Sequence, residues 1–138
     1  MPRTRLRSRR WTTPLATVSL ATERTHARGD IWHVDFGAHP ADPEQAFRRP
    51  ALLVSDDRLH HPNLRLVIVV PGTSTIRRLP LHVVTEPDEN NGLDQTTAFQ
   101  VEQVRAISTR RLVGRIGRLD AETRHTVDEI LRNVLDLH

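Results

Sequence analysis

The sequence predicts a small, mainly β domain that is closed by one C-terminal α-helix. From Arg28 onward, short apolar runs alternate with turn residues, which is the pattern of small all-β domains. After Asp120 the apolar residues recur instead at helical spacing. The chain has 138 residues, enough for one domain with a modest core and too few for two ordinary domains.

The β region is expected to contain five or six short strands. Runs of apolar and β-branched residues separated by Pro, Gly or Asn are typical of such strands. The predicted strands are 31–36, 50–55, 64–70, 79–85, 97–101 and 104–108. The third is expected to stop at Pro71-Gly72, and the run Ala51-Leu52-Leu53-Val54 in the second indicates burial on both faces. Strands this short suggest a strongly bent sheet or a small barrel.

Two connections and the helix complete the predicted organisation. Residues 38–48 are expected to form a long loop. The turn-rich connection 87–92 contains Asn91-Gly92, a pair that favours positive φ. Asp120 is the expected N-cap of the helix. The apolar stripe of this helix is predicted to consist of Thr123, Val127, Ile130, Leu131, Val134 and Leu135.

The positive charge is concentrated near the N-terminus. The net charge is +3 and the pI is about 11.0, but residues 1–10 contain five arginines and no acid. Subtracting these arginines leaves a net charge of −2, so global charge alone does not indicate a nucleic-acid partner. We assign residues 1–27 as an Arg-rich extension expected to be disordered and 28–138 as the folded domain. The extension is either an RNA-contacting arm or residues added by an upstream start codon.

Composition also excludes several classes of chemistry. The chain has no cysteine, which rules out disulfides, thiolate metal ligands and a cysteine nucleophile. Residues 12–21 follow a basic run but lack the strong apolar centre of a signal peptide, so we expect a cytoplasmic protein without membrane association. The spacing of His60, His61 and His82 is not that of a metal site. No metal or cofactor is therefore expected.

Four ordered segments carry a more specific pattern. Residues 28–36 read Arg-Gly-Asp-Ile-Trp-His-Val-Asp-Phe, and 44–55 contain Glu-Gln followed by Arg-Pro and an apolar run. Residues 69–74 read Val-Val-Pro-Gly-Thr-Ser, and 92–112 contain Glu-Gln-Val-Arg-Ala-Ile-Ser. In this order and spacing the four segments resemble the MazF/PemK family of toxins. The resemblance covers residues 28–137, and four ordered blocks are far harder to obtain by chance than one short motif.

The resemblance implies a fold, an activity and partners. The fold is an SH3-like small β-barrel of the MazF/CcdB type with a C-terminal α-helix, assembled as a homodimer. The activity is metal-independent cleavage of single-stranded RNA at a short sequence. The expected inhibitor is a cognate MazE-like antitoxin with an acidic, disordered tail that covers the cationic groove.

The resemblance also assigns catalytic residues. Arg49 and Thr73 match the family's catalytic Arg and Thr, and Glu44 lies in the same loop as Arg49. A guanidinium keeps its proton at neutral pH, so it suits electrostatic stabilisation of a phosphorane better than proton transfer. Glu44 and Glu102 are therefore the candidate proton acceptors. Gln100 replaces the Arg of an Arg-x-Asp pair found in the PemK branch, and Pro43 replaces a His, which favours the MazF-type pairing of Arg with Thr.

Further residues are expected to contact RNA, and Glu102 is one of them. Phe47 is the best stacking candidate, because aromatic rings stack on any base. Paired arginines after Thr73 suit the phosphate backbone. The predicted RNA-contacting residues are Gln45, Phe47, Arg48, Ser74, Arg77, Arg78 and Glu102.

Two other functions remain open at this point. CcdB-like toxins share the barrel and act without catalysis, by binding DNA gyrase, so fold alone does not separate them from nucleases. A catalytically inactive relative that only binds an antitoxin is the second alternative. Arg49 and Thr73 favour the nuclease.

Overall fold

A computed structural model describes residues 26–37 and 48–137 of the chain. Within these ranges the chain forms seven β-strands followed by one α-helix. The strands are β1 (Asp30–Asp35), β2 (Arg48–Leu53), β3 (Leu66–Thr73), β4 (His82–Thr85), β5 (Thr97–Gln100), β6 (Arg105–Ser108) and β7 (Leu112–Arg118), and the helix is α1 (Ala121–Val134). The extension proposed for residues 1–27 and the loop 38–48 lie almost wholly outside the described residues.

The strands form one antiparallel sheet that bends around β3. β3 pairs with β6 over residues 66–69, with β2 over residues 69–71, and with β5 at Gly72 and Thr73. β5 continues the sheet to β4, while β2 continues it through β1 to β7. Because β3 is shared by both parts, the sheet curls into a small barrel. The prediction of a mainly β barrel with a C-terminal helix is confirmed.

The prediction that the third strand stops at Pro71-Gly72 is wrong. β3 runs through both residues to Thr73, with Pro71 paired to Ala51 and Gly72 paired to Phe99. At this point the strand changes partners, and a side chain at 72 does not fit. A Cβ on Gly72 would lie 2.6 Å from the Thr97 methyl group. The glycine therefore permits a close approach of strands instead of ending one.

Other strand boundaries also differ from the sequence prediction. β4 begins at His82, although its strand was predicted from Leu79. β7 was not predicted, because its alternation is interrupted by arginines and by Gly114 and Gly117. It forms through long-range pairing with β1, where the register shifts twice. Tertiary pairing thus overrides weak local β propensity.

Two apolar clusters lie on the two faces of the sheet. Leu52, Val70, Phe99 and Val127 belong to the cluster between the barrel interior and α1. Ala51 and Leu53 point into the other cluster, with partners on β1, β3 and β6. All three residues 51–53 are at most 1% exposed. The predicted burial of this strand on both faces is confirmed.

Helix α1 begins where the sequence predicts. The Asp120 carboxylate caps it by accepting a hydrogen bond from the Thr123 backbone N–H at 2.9 Å. Hydrogen bonds from Thr123 lower the pKa of Asp120 below its ordinary value. Val127 is fully buried and Ile130 and Leu131 pack against the core, whereas Val134 and Leu135 are 36% and 51% exposed. The apolar stripe therefore leaves the core only at its C-terminal end. No helix in the described part of the chain is long and apolar enough to cross a membrane.

Candidate active site

An open cleft of about 420 Å³ lies where β2, β3 and the connection before β5 meet. Two walls provide most of its surface. We call residues 48–50 and 72–75, from the start of β2 and the end of β3, the arginine wall. Residues 92–95, from the connection between β4 and β5, and residue 97, at the start of β5, are the loop wall. His33 of β1 and Ile116 of β7 complete the described lining.

Arg49 is held within the arginine wall by hydrogen bonds to β3 and β5. Its Nε donates to the Gly72 carbonyl oxygen at 2.9 Å, and its Nη2 donates to Gln100 Oε1 at 3.1 Å. Nε and Nη2 lie on one edge of the planar guanidinium group, so these bonds set the plane and the position of the charge. Gln100 is 4% exposed and is therefore a well-packed support.

Thr73 lies next to the carbonyl that holds Arg49. The residue is 7% exposed and lines the cleft. Its hydroxyl oxygen accepts a hydrogen bond from the Thr75 backbone N–H at 3.1 Å. This bond orients the oxygen and leaves the hydroxyl hydrogen to act as a donor. The structure thus brings Arg49 and Thr73 to one solvent-accessible cleft.

Of the other predicted site residues that the structure describes, some line the cleft and others do not. Arg48 and Ser74 line the cleft, whereas Arg77 and Arg78 are exposed farther along the β3–β4 connection and are not among its described lining residues. Their contact with RNA stays a prediction. Glu44, Gln45 and Phe47 lie outside the described residues.

Glu102, which lies just beyond β5, is paired with His82 at the start of β4. Its Oε2 lies 2.9 Å from Nε2 of His82. The His82 side chain is 1% exposed and that of Glu102 is 28% exposed, but the other carboxylate oxygen, Glu102 Oε1, is buried and has no hydrogen-bond partner among the described residues. Neither residue is among the described lining of the cleft. The roles of Glu102 in RNA binding and in proton transfer stay predictions.

The three histidines considered as metal ligands have separate partners. His60 Nε2 contacts Ser55 Oγ at 2.5 Å, and His61 Nδ1 accepts from the Asn63 backbone N–H. His82 pairs with Glu102. Within residues 26–37 and 48–137, no group of three or more His, Asp or Glu side chains is arranged to hold a metal ion.

The loop wall is held by a dense local network around Asn91, which is 1% exposed. The Asn91 side-chain oxygen accepts from the backbone N–H groups of Asp88 and Leu93, and its amide donates to the Glu86 carbonyl. Gly92 has φ of +66°, and a Cβ there would lie 2.3 Å from the Ile116 carbonyl oxygen. Only glycine allows this approach, which seats the loop on β7.

Sequence reasoning did not identify the loop wall or the support of Arg49. Asn91-Gly92 correctly indicates a turn with positive φ, but nothing local shows that this turn faces Arg49. Gln100 stands out in the sequence only as a replacement for an arginine. Asp94, Gln95 and His33 carry no sequence signal that separates them from ordinary surface residues.

Fold and cleft together define a small β-barrel protein whose groove presents a fixed guanidinium and a hydroxyl donor to an anionic ligand. The chain belongs to the PemK-like, MazF-like toxins of type II toxin-antitoxin systems, because that family model matches residues 27–135. The family resemblance inferred from sequence motifs is confirmed.

Individual relatives agree with this membership. Endoribonuclease MazF9 of Mycobacterium tuberculosis is 39% identical over 115 residues, which cover 80% of this chain and 96% of that protein. Endoribonuclease EndoA of Bacillus subtilis is 31% identical over 112 residues, covering 80% and 94%. The solved structure of the Mycobacterium tuberculosis toxin MazF-mt6 superposes with a TM-score of 0.64 at 27% identity, covering 79% of this chain and 98% of that one.

Proposed function

We propose that this protein is the toxin of a toxin-antitoxin pair and that it cleaves single-stranded RNA without a metal ion. The observation that carries the proposal is the Arg49 guanidinium, hydrogen-bonded to the Gly72 carbonyl beside Thr73 in an open cleft. The names of the two endoribonuclease relatives support the same activity.

The proposed reaction is an intramolecular phosphoryl transfer. The ribose 2′-oxygen forms a bond to phosphorus while the bond from phosphorus to the 5′-oxygen breaks. A general base takes the 2′-OH proton and the leaving oxygen gains a proton, so the products are a 2′,3′-cyclic phosphate and a 5′-hydroxyl. The enzyme must therefore stabilise the charge that develops on the non-bridging oxygens.

Arg49 and Thr73 supply that stabilisation. When the Nε edge of a guanidinium is bound to protein, its two Nη groups donate hydrogen bonds to a phosphate. The spacing of these two donors matches two non-bridging oxygens. The Thr73 hydroxyl, oriented by Thr75, donates one further hydrogen bond. Glu44 and Glu102 are the two carboxylates proposed for the 2′-OH proton.

The proposed partners follow from membership of a toxin-antitoxin family. The antitoxin presents an acidic, disordered segment that orders over the cleft and neutralises Arg49 and its neighbours. The toxin is a homodimer. It acts in the cytoplasm, where its RNA substrate is found.

The direct test incubates purified, antitoxin-free protein with mixed RNA, with and without EDTA. We expect cleavage in both reactions, 5′-hydroxyl ends, and no cutting where a 2′-deoxy sugar precedes the scissile phosphate. Arg49→Ala is expected to lower the rate by about 10²- to 10³-fold, the usual cost of one charge-stabilising donor. The matched control is Arg110→Ala, which removes an exposed arginine outside the described lining of the cleft.

Three results would contradict the proposal. No cleavage by the wild-type protein would favour a gyrase-binding toxin or an inactive relative. Loss of cleavage in EDTA would reject the metal-independent reaction. An Arg49→Ala variant as active as Arg110→Ala would reject the assigned site.

A further inference from the structure

The loop wall carries polar side chains that the proposed chemistry does not use. Asp94 and Gln95 are exposed and line the same cleft as Arg49 and Thr73. No hydrogen bond or ion pair joins the Asp94 carboxylate to another described residue. A carboxylate with open acceptor positions inside a cleft favours a ligand that brings hydrogen-bond donors.

The loop wall is also rigid enough to discriminate between ligands. Asn91 ties together the backbone at Glu86, Asp88 and Leu93. A second anchor joins the connection to β7, where the Arg118 backbone N–H donates to the Asn90 carbonyl at 2.8 Å. A recognition group on a preorganised segment does not have to be ordered when the ligand binds, so binding costs little conformational entropy. Such a group can also reject a mismatched ligand.

The cleft has the size and the lining of a nucleotide site. Its volume of about 420 Å³ falls in the range of small-molecule pockets. The exposed imidazole of His33 lies in its lining and offers a face on which an unpaired base can stack. Arg49, in the same cleft, is the proposed contact for the scissile phosphate. A base seated against the loop wall would therefore be adjacent to the cut.

We propose that the loop wall is the base-reading subsite of this enzyme and that Asp94 selects a base with an exocyclic amino group. Guanine, cytosine and adenine each offer such a donor to a carboxylate. Uracil is disfavoured, because its Watson–Crick edge places carbonyl oxygens on both sides of a single N–H. The inference rests on the proposed RNA cleavage and names the substrate preference of the same cleft.

The test maps cleavage sites by sequencing 5′-hydroxyl ends from a random-sequence RNA. The wild-type protein is expected to show one position next to the cut that is depleted in uracil. Asp94→Asn replaces a pure acceptor with a group that also donates, so uracil at that position should rise by about tenfold relative to wild type. Asp94→Ala should reduce the preference at that position without creating a new one.

Glu89→Gln is the matched control. Glu89 is exposed in the same connection, carries the same charge and is not among the described lining of the cleft. Its substitution should leave the base preference unchanged. Wild-type, Asp94→Asn and Glu89→Gln proteins should unfold at the same temperature, because both carboxylates are exposed.

The outcomes separate this inference from the proposed function. If the wild-type protein does not cut RNA, the proposed function fails first. If it cuts and the Asp94 variants keep the wild-type preference at every position, the base-reading subsite is overturned. An equal change in Asp94→Asn and Glu89→Gln would also overturn it, because loss of charge alone would then explain the effect.

Discussion

The arginine wall and the loop wall face the same cleft but are held in place in different ways. Arg49 is fixed by bonds to Gly72 and Gln100, which are 23 and 51 positions away in sequence. The loop wall is fixed mainly by Asn91, whose side chain bonds to residues at most five positions away. One wall therefore depends on the assembled barrel, and the other depends largely on its own turn.

This difference separates two properties of the enzyme. Displacing the guanidinium should slow the reaction without changing which base is read. Removing the hydrogen bonds that hold the Asn91 turn should reduce the stability of the fold and broaden the base preference. Three substitutions test this separation.

The largest effect is expected from Gln100→Met. Methionine has a similar volume but accepts no strong hydrogen bond, so Arg49 Nη2 would lose the Gln100 acceptor that helps to set the guanidinium plane. We expect the single-turnover rate to fall about 100-fold, the cost of a misplaced catalytic group, with KM and base preference unchanged. Gln103→Met is the control, since Gln103 is exposed nearby and has no described bond to Arg49. Equal rates for the two variants would show that Gln100 does not position Arg49.

Asn91→Ala should have the next largest effect. It leaves the backbone groups at positions 86, 88 and 93 without their side-chain partner, the one at 93 being buried, which should lower the free energy of unfolding by about 2 kcal/mol. Urea denaturation measures this change, and mapping of cleavage sites should show a broader base preference. The neighbouring Asn90→Ala, at an exposed position, should cost less than about 0.5 kcal/mol. Matching denaturation midpoints for the two variants would contradict the role assigned to Asn91.

Asp120→Ala should have the smallest effect and should leave both walls intact. Loss of the helix N-cap is expected to cost about 1 kcal/mol of stability at neutral pH, with RNA cleavage unchanged. The folded-state pKa of Asp120 is lowered from 3.8 by hydrogen bonds from Thr123. The carboxylate's contribution is therefore present above pH 3.8 and is lost as the pH falls through the lowered pKa. A stability difference that stays constant down to pH 2 would refute this linkage.

Local chemistry was sufficient to predict several features. Asp120 was identified as the cap because a short polar side chain precedes a run at helical spacing, and residues 51–53 were assigned to burial on both faces because the run is continuously apolar. The signals for the cap and for the buried strand are each contained within a few neighbouring residues. Arg49 and Thr73 were assigned in another way, through a family resemblance that spans residues 28–137, and their catalytic roles stay predictions.

Tertiary structure decided the rest. β3 continues through Pro71-Gly72 because Phe99 and Ala51 pair with it there. Gln100 supports Arg49, and Asp94 shares its cleft, only because the bent sheet brings β5 and its preceding connection to the start of β2. No local propensity encodes such contacts, since the free energy that selects them comes from packing the whole barrel.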